Sequence, residues 1–369
     1  TIQAKGEGFD DSATRTLYYK VRRELKTVNN LPVWYMLGAA IEKIPLGGAG
    51  TVKISGILKA ENIGYPPLPD YSPVVNNSTI DVSGKKDSGD YPGRTVTVIG
   101  DNKASSILDA NNLCSVFNVE FNGKLILKNV TLQNAKNNGG GYGGGIYISD
   151  NCSSLVMTDT DIKNCTVTAG AKLGGAIYIR EGGTLTVGSG CVISNNTAPG
   201  GNGDGIYVQS GAAFNISGDA KIDENNDVYL KENEDSPYDP SKNAKITVTA
   251  PLTGTHTVAK ITPEDYTAGV AAVNAASGVN LAEYAGRFKI TDQTIISPPS
   301  TVLWKLIYKS NNTLVLKSAA PTVIPSTATW KTLKEAIEAE IVENGDEFLV
   351  QGTITATSAT DNYGAIRVT

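Results

Sequence analysis

The sequence has few of the side chains that bind metals or carry redox chemistry. Its only histidine is His256, and its four cysteines are Cys114, Cys152, Cys165 and Cys191. No two of these cysteines have C-x-x-C spacing, and the histidine lies far from all of them along the chain, which argues against a zinc or haem site. We therefore expect no metal and no other cofactor, and we interpret the cysteines as small apolar side chains in or near strands.

Excess positive charge and long apolar runs are also lacking. The net charge is −5 and no basic run is longer than Arg22-Arg23, so nucleic acid is not an expected partner. No apolar stretch approaches the roughly 20 residues that span a bilayer, and residues 1–10 lack the basic and apolar regions of a signal peptide. Either the protein is cytosolic or its export signal lies outside this chain.

Glycine and asparagine are abundant, and they separate short strand-like runs. Residues 144–165, 174–196 and 203–225 align as three copies of one unit, and residues 124–134 belong to an earlier copy. Each unit has a tyrosine at the same position, and the run after the third unit continues the series: Tyr147, Tyr178, Tyr207 and Tyr229. The first three tyrosines are 31 and 29 residues apart, which defines a repeat of about 30 residues.

Such a repeat is typical of a right-handed parallel β-helix, in which each coil gives one strand to each of three sheets. Alternation along the strand places Ile177 and Ile179 on the core face and Tyr178 on the outer face. Glycines supply the corners between sheets. We predict an all-β fold, a right-handed parallel β-helix with three short strands per coil, short capping helices and a terminal β-hairpin.

A second series of equivalent residues lies at a corner of the coils: Asn134, Asn164 and Asn195. Their spacings are 30 and 31 residues, and Glu224 takes the next position. Stacked side-chain amides can hydrogen-bond from coil to coil, so we predict a structural asparagine ladder at this corner.

Several motifs resemble those of a known group of proteins. The segments GGGIYI, GGAIYI with GGTLTV and ISNNTA, NDVYL, ITVTAPLTG, VAKITPEDYTAG and RFKIT resemble serial motifs of large β-helix surface proteins of Treponema-like spirochaetes. That resemblance runs from about residue 34 to the end. GGAI at residues 174–177 is also similar to a tetrapeptide of chlamydial polymorphic outer-membrane proteins, which are adhesins and autotransporters, although their companion F-x-x-N is not in register. The resemblance implies an exported protein at the cell surface or outer envelope.

A longer repeat divides the chain into modules. Residues 34–60 align without a gap with residues 330–356, at an offset of 296, and Trp34 matches Trp330. Both copies predict a short amphipathic helix before a strand. The segment at 17–28 likewise resembles the one at 306–317. We therefore divide the chain into the tail of a preceding module, one complete β-helix module and the head of a following module: residues 1–30, 31–320 and 321–369.

In this interpretation consecutive modules pack end to end without fusing their sheets. The helix of Trp34 is expected to contact the tail at residues 1–28, and the helix of Trp330 to contact the strands around residues 304–317. The alternative is that residues 1–30 are the N-terminal strand and loop of a single domain.

Two segments depart from the coil pattern. Residues 61–93 are rich in proline, glycine and aspartate, and we predict a loop insertion over the side of the β-helix. Residues 245–317 are predicted to form a C-terminal cap that ends in a hairpin. Within it, Thr262 as N-cap and Pro263 at the first helical position predict a short helix in 262–286.

The outward tyrosine row is the candidate ligand-binding surface. Tyr147, Tyr178, Tyr207 and Tyr229 could present a flat aromatic strip to sugar rings or to a protein partner. Stacking between coils, or cover from the terminal segments, would explain the same row without a ligand.

An enzyme would need clustered carboxylates, since many β-helices cleave or epimerise acidic polysaccharides. The best charged residues for this are Asp159, Asp161, Lys163, Arg180 and Glu181. Acids do not recur on adjacent coils at the Asp159 position, so we interpret these charges as a solvated strand face and predict no catalytic residues.

Two hypotheses for function follow. The first is a non-enzymatic surface or envelope protein, a tandem β-helix module that serves as spacer, assembly unit or adhesin. Its expected partners are neighbouring modules or copies of the same protein, and a host protein or glycan. The second is a carbohydrate-active β-helix enzyme, a lyase or hydrolase acting on an acidic glycan. A groove with three or more convergent carboxylates would favour the enzyme.

Overall fold

The computed structural model describes residues 15–18, 27–28, 31–61, 78–83, 92–149, 152–234, 239–296, 299–318, 322–324 and 348–350. Over these residues the protein is a solenoid of about six three-stranded coils, formed by three parallel sheets, with one α-helix, α1 (Val33–Glu42), at its start. The predicted parallel β-helix with three short strands per coil is therefore confirmed.

The strands are numbered in chain order and listed by their place in each sheet. Sheet 1 contains β1 (Arg15–Tyr18), β4 (Ala49–Ile54), β7 (Thr95–Gly100), β10 (Lys124–Lys128), β14 (Ser154–Thr158), β18 (Thr184–Val187), β21 (Ala213–Gly218), β24 (Ile246–Leu252), β26 (Ala271–Ala275), β31 (Thr313–Ser318) and β30 (Trp304–Lys309). Sheet 2 contains β22 (Lys221–Ile222), β19 (Val192–Ser194), β15 (Asp161–Lys163), β11 (Thr131–Gln133), β8 (Ile107–Asp109) and β5 (Ile57–Lys59). Sheet 3 contains β27 (Phe288–Ile290), β25 (Ala259–Pro263), β23 (Val228–Leu230), β20 (Ile206–Val208), β17 (Ile177–Ile179), β13 (Ile146–Ile148), β9 (Phe117–Glu120) and β6 (Ile80–Ser83).

Four further pairs are outside these sheets. They are β2 (Thr27–Val28) with β3 (Leu31–Pro32), β12 (Lys136–Asn137) with β16 (Thr166–Val167), β28 (Gln293–Ile296) with β29 (Pro299–Val302), and β32 (Thr322–Ile324) with β33 (Phe348–Val350). Short 3₁₀ turns lie at Pro240–Lys242, Leu281–Glu283 and Ala285–Arg287.

The core consists of columns of apolar side chains that repeat once per coil. In sheet 1 one register position is occupied in successive coils by Leu125, Leu155, Leu185 and Phe214, all of them fully buried. Each apolar residue is followed by a more exposed one, because successive strand residues point to opposite faces. Truncating one such leucine to alanine would leave a cavity and cost about 2–5 kcal/mol.

Helix α1 covers the end of the stack at the first coil. Trp34 is only 1% exposed, and its indole Nε1 donates a hydrogen bond to the carbonyl oxygen of Ser78 at 2.8 Å. The helix contacts β3, β4, β5 and β6, so it packs on the first coil. Among the described residues no helix has both the length and the apolar character needed to cross a membrane. Trp330, the predicted counterpart of Trp34, lies outside the described residues.

The N-terminal strand β1 joins sheet 1 directly. It pairs in parallel with β4, with Leu17 opposite Val52. The prediction that sheets stay separate at this end is therefore wrong, since a strand from residues 1–30 continues the sheet of the first coil. Inside the predicted loop insertion at 61–93, β6 pairs in parallel with β9 and completes the first coil.

At the other end, the predicted terminal hairpin is confirmed: β30 and β31 pair antiparallel, and β31 pairs antiparallel with β26. The predicted helix in residues 262–286 is wrong. Thr262 and Pro263 belong to β25, where Thr262 lies opposite Tyr229, and β26 continues sheet 1 with Val273 opposite Ile246. Hydrogen bonds offered by the preceding coil therefore override the local helix-start signal.

The corner asparagines act through their backbone. Asn134, Asn164 and Asn195 have φ angles of 53°, 55° and 55°, a left-handed conformation that asparagine tolerates better than other non-glycine residues. The side chains of Asn164 and Asn195 are exposed, and only Asn134 is half-buried, where its amide donates to Asp109 at 3.1 Å. These three side chains therefore do not form the predicted ladder.

Buried amide contacts lie one residue further along the chain. Asn196 and Asn226 are each 1% exposed, and Asn196 Nδ2 donates to Asn226 Oδ1 at 2.7 Å. Asn226 Oδ1 also accepts the Asn196 backbone N–H at 3.0 Å, while Asn196 Oδ1 accepts the Cys165 N–H at 2.9 Å. These bonds tie three successive coils together inside the solenoid.

We expect Asn196→Ala to lower the free energy of unfolding by about 1–3 kcal/mol, because it leaves buried backbone and side-chain groups unpaired. The matched control is the neighbouring Asn195→Gly, which keeps the left-handed corner and should change stability by less than about 0.5 kcal/mol. Urea denaturation followed by circular dichroism measures both. Equal losses in the two variants would contradict the assignment of the ladder to Asn196.

The four cysteines are unpaired, and three of them, Cys114, Cys165 and Cys191, are buried. Burial raises the pKa of each of these three thiols to about 12, whereas Cys152 is exposed. We expect iodoacetamide at pH 8 to modify Cys152 alone in the folded protein and all four thiols in urea, as counted by mass spectrometry. The variant Cys152→Ser should remain unmodified until it unfolds, and rapid labelling of that folded variant would contradict the packing of the core.

Candidate functional site

The four predicted tyrosines form a single stacked column. Tyr147, Tyr178, Tyr207 and Tyr229 occupy the same register position of β13, β17, β20 and β23. Their ring centroids are successively 5.5, 5.2 and 5.0 Å apart, and the planes of the last three rings differ by only 15° and 13°. The row therefore runs along the outside of sheet 3, and we call these four residues the tyrosine column.

The column is closed on its ring faces. Tyr178, Tyr207 and Tyr229 are only 6%, 6% and 8% exposed, and Leu173 and Tyr147 pack against them. Tyr142, from the loop before β13, adds a fifth ring at 4.9 Å from Tyr178. A sugar that stacks on an aromatic side chain needs a free ring face. The geometry thus matches stacking between coils, and it leaves ring edges and hydroxyl groups as the outward part of the column.

Polar residues continue the column at both ends. Asn118 lies opposite Tyr147, and its amide donates to Asp81 in the preceding coil at 3.1 Å. At the other end Thr262 lies opposite Tyr229, and its hydroxyl is 2.8 Å from that of Thr291. The aromatic stretch therefore spans four coils.

Burial holds the tyrosines in the neutral form. Desolvation raises the pKa of Tyr207 to about 12 and raises the pKa of Tyr147, Tyr178 and Tyr229 as well. The hydroxyl of Tyr178 donates to Gln209 Oε1 at 2.5 Å, a bond that the neutral phenol can make. At neutral pH the column is therefore an uncharged strip of stacked rings.

A first depression, of about 490 Å³, lies where the column begins. Tyr142 and Tyr147 form its aromatic side, and Asn118, Asn137 and Lys136 contribute polar groups. Tyr142 is 38% exposed, which makes it the most accessible ring here. Aromatic and amide groups in one open depression can contact a sugar or a peptide.

A second depression, of about 560 Å³, lies beside the other end of the column. Three of its lining residues are acidic, Asp204, Glu224 and Asp227, and Lys260 lies among them. Burial raises the pKa of Asp227. Alignment of the repeats did not reveal this cluster of three acids, because Asp204 occupies the position that Gly175 has in the preceding coil.

These acids are engaged in contacts within the protein. Asp204 accepts the Ala198 N–H at 2.6 Å, Asp227 accepts the Asp204 N–H at 2.7 Å, and Glu224 pairs with Lys289 at 2.6 Å. Their oxygens thus hold the turns of successive coils in place. Within the described part of the chain no three histidine, cysteine or acidic residues are grouped so that they could hold a metal ion.

The charged residues considered for catalysis do not converge. Asp161 and Lys163 lie on sheet 2, whereas Arg180 and Glu181 follow β17 of sheet 3. Lys103, from a loop in the second coil, contacts Asp161 Oδ1 at 2.8 Å and the carbonyl oxygen of Gly190 at 2.7 Å. Asp159 is a left-handed corner residue with φ of 46°.

The raised tyrosine pKa values predict a loss of stability at alkaline pH. The pKa of a tyrosine in the unfolded chain is about 10. In the folded column the pKa of Tyr207 is raised to about 12, so this side chain keeps its proton to higher pH. The contribution of the protonated tyrosine to the free energy of unfolding is therefore fully present below pH 10 and is lost as the pH rises towards 12. We expect the urea midpoint to fall between pH 9 and pH 11, and to fall less steeply for Tyr207→Phe. An identical pH dependence in the two proteins would contradict the effect.

Comparison of this chain with family models, with curated proteins and with solved structures finds no match.

Proposed function

We propose that this protein is a non-enzymatic structural module of the cell surface or outer envelope, a segment of a tandem β-helix array that acts as spacer, assembly unit or adhesin. The observation that carries the proposal is that the tyrosine rings and the acidic side chains on the outside of the solenoid are engaged in contacts within the protein. The tyrosine rings stack on one another, and the acids beside them accept backbone N–H groups at the turns or pair with Lys289. Such contacts strengthen a rod along its length.

Export is part of this proposal and is supported by the spirochaete-like motifs. The net charge of −5 makes nucleic acid a poor partner. The partners we propose are neighbouring modules or copies of the same protein, with a host protein or glycan in the adhesin role. Tyr142 and the first depression give that role an accessible surface.

A second candidate function is cleavage of an acidic glycan in the second depression. The observation in its favour is that Asp204, Glu224 and Asp227 line one depression, where burial raises the pKa of Asp227. A buried carboxyl with a raised pKa is the type of group that glycoside hydrolases use as general acid.

One assay separates the two functions. We expect the purified chain to release no reducing ends and no unsaturated products from a panel of acidic polysaccharides. Turnover that Asp227→Asn lowers by about 10²-fold or more, with Asp265→Asn unchanged as the exposed control, would establish the enzyme instead.

Location is tested on cells of the source organism. Protease added to intact cells should cleave the protein, while a cytosolic marker remains intact. Protection of the protein until the cells are lysed would contradict a surface role.

A further inference from the structure

The outer face of sheet 1 carries an uncharged column of side chains along the solenoid. One outward residue of each strand from β4 to β26 in the sheet lies at the same register position. In order along the solenoid these residues are Thr51, Thr97, Ile126, Val156, Thr186, Asn215, Thr247 and Asn274. Each is partly exposed, whereas the inward residues beside them, such as Leu125 and Leu155, are fully buried. We call this set the outer column of sheet 1.

The middle of the outer column is apolar. Ile126 and Val156 lie directly opposite each other on β10 and β14, and Ile99 lies on the same face in the adjoining strand β7. Outward β-branched side chains are the kind that pack against a second sheet. A contiguous apolar patch with a polar surround is typical of an interaction surface.

The charges on this face do not repeat with the coil. From β4 to β26 the strands of sheet 1 contain no acidic residue, and Lys53 pairs with Asp101 at 2.8 Å. The exposed lysines Lys124 and Lys128 both belong to β10. An acidic glycan lying along the face would need cations on successive coils, so the face fits an uncharged partner surface better.

We propose that this face is an interface between two copies of the chain, related by a two-fold axis that runs parallel to the strands between β10 and β14. Rotation about this axis exchanges β10 with β14 and β7 with β18. Ile126 of one copy then packs against Val156 of the second copy. Thr97 likewise meets Thr186 of the second copy, and each hydroxyl can both donate and accept a hydrogen bond.

The two exposed lysines distinguish this axis from the alternative. Under the proposed axis Lys124 faces Ser154 of the second copy, because these positions are paired within the chain. Lys128 faces Thr158 of the second copy for the same reason, so each ammonium group meets a hydroxyl oxygen. A two-fold axis along the solenoid would reverse the strands and place Lys124 against Lys128 of the second copy, where like charges repel.

The area of the face suits a dimer that dissociates readily. Eight strands spaced about 4.8 Å apart and about 17 Å long present roughly 650 Å². A standard interface takes about 800 Å² from each partner. We therefore expect a dissociation constant on the order of micromolar, with the two sheets packed about 10 Å apart.

This inference rests on the proposed structural role and specifies how two rods associate side by side. Analytical ultracentrifugation of the full-length chain tests it: the sedimentation coefficient should rise from that of a monomer to that of a dimer through the micromolar range. Ile126→Lys puts an ammonium group at the centre of the interface from each copy and should weaken association by about a hundredfold. Ile57→Lys is the matched control, since Ile57 is 56% exposed on sheet 2, and it should leave the dimer unchanged.

Cross-linking tests the axis without a charged substitution at the centre of the face. In a Cys152→Ser background, chains with Lys124→Cys are mixed with size-tagged chains that carry either Ser154→Cys or Lys128→Cys, and a short bismaleimide is added. Heterodimers should form readily in the first mixture and much less in the second.

A monomer at every concentration would overturn the proposal. A dimer that Ile126→Lys does not weaken, or that Ile57→Lys weakens equally, would also overturn it. Preferential cross-linking of the cysteines at positions 124 and 128 would overturn the proposed axis. The protease test on cells and the glycan assay do not depend on the dimer, so the interface and the structural role fail separately.

Discussion

The fold depends on parallel pairing of each strand with its equivalent one coil away. A strand of three or four residues cannot be stable alone, but within the stack such a strand is hydrogen-bonded on both sides, as β17 is between β13 and β20. The pairing fixes the register, and the register brings equivalent side chains of successive coils into contact. The leucine columns of the core, the tyrosine column and the buried Asn196–Asn226 contact all follow from that one constraint.

The same constraint explains how an outward row of tyrosines became buried. Adjacent coils place equivalent side chains about 5 Å apart, close to the distance at which aromatic rings stack. Once four rings stand in register, the face of each is covered by its neighbours. A row that suggests a binding strip in the sequence is therefore, in three dimensions, largely a contact between coils, with Tyr142 as its accessible ring.

Sequence periodicity was sufficient to predict the coils, the inward isoleucines and the tyrosine column, because all three repeat with the coil. It was insufficient at the corners and the ends. A left-handed residue such as Asn195 turns the chain, so that the next side chain, Asn196, points inward, and two adjacent asparagines give no sequence signal of which one is buried. At 262–286 the helix-start pattern is local, whereas the strand that forms there depends on a partner in the preceding coil. The pairing of Asp204 with Asp227 required knowledge of how unequal coils align.

Lys103 has a consequence for how the molecule would resist being pulled or heated apart. Contacts in a solenoid are mostly between nearest neighbours, so the coils can peel away one at a time from a frayed end. From the second coil, the Lys103 ammonium reaches Asp161 in the fourth coil and Gly190 in the fifth. Peeling the second coil from one end, or the fifth coil from the other, therefore breaks a tie to coils that are still folded. These ties add to the contacts between neighbouring coils in the middle of the rod, so we expect loss of structure to begin at the two ends.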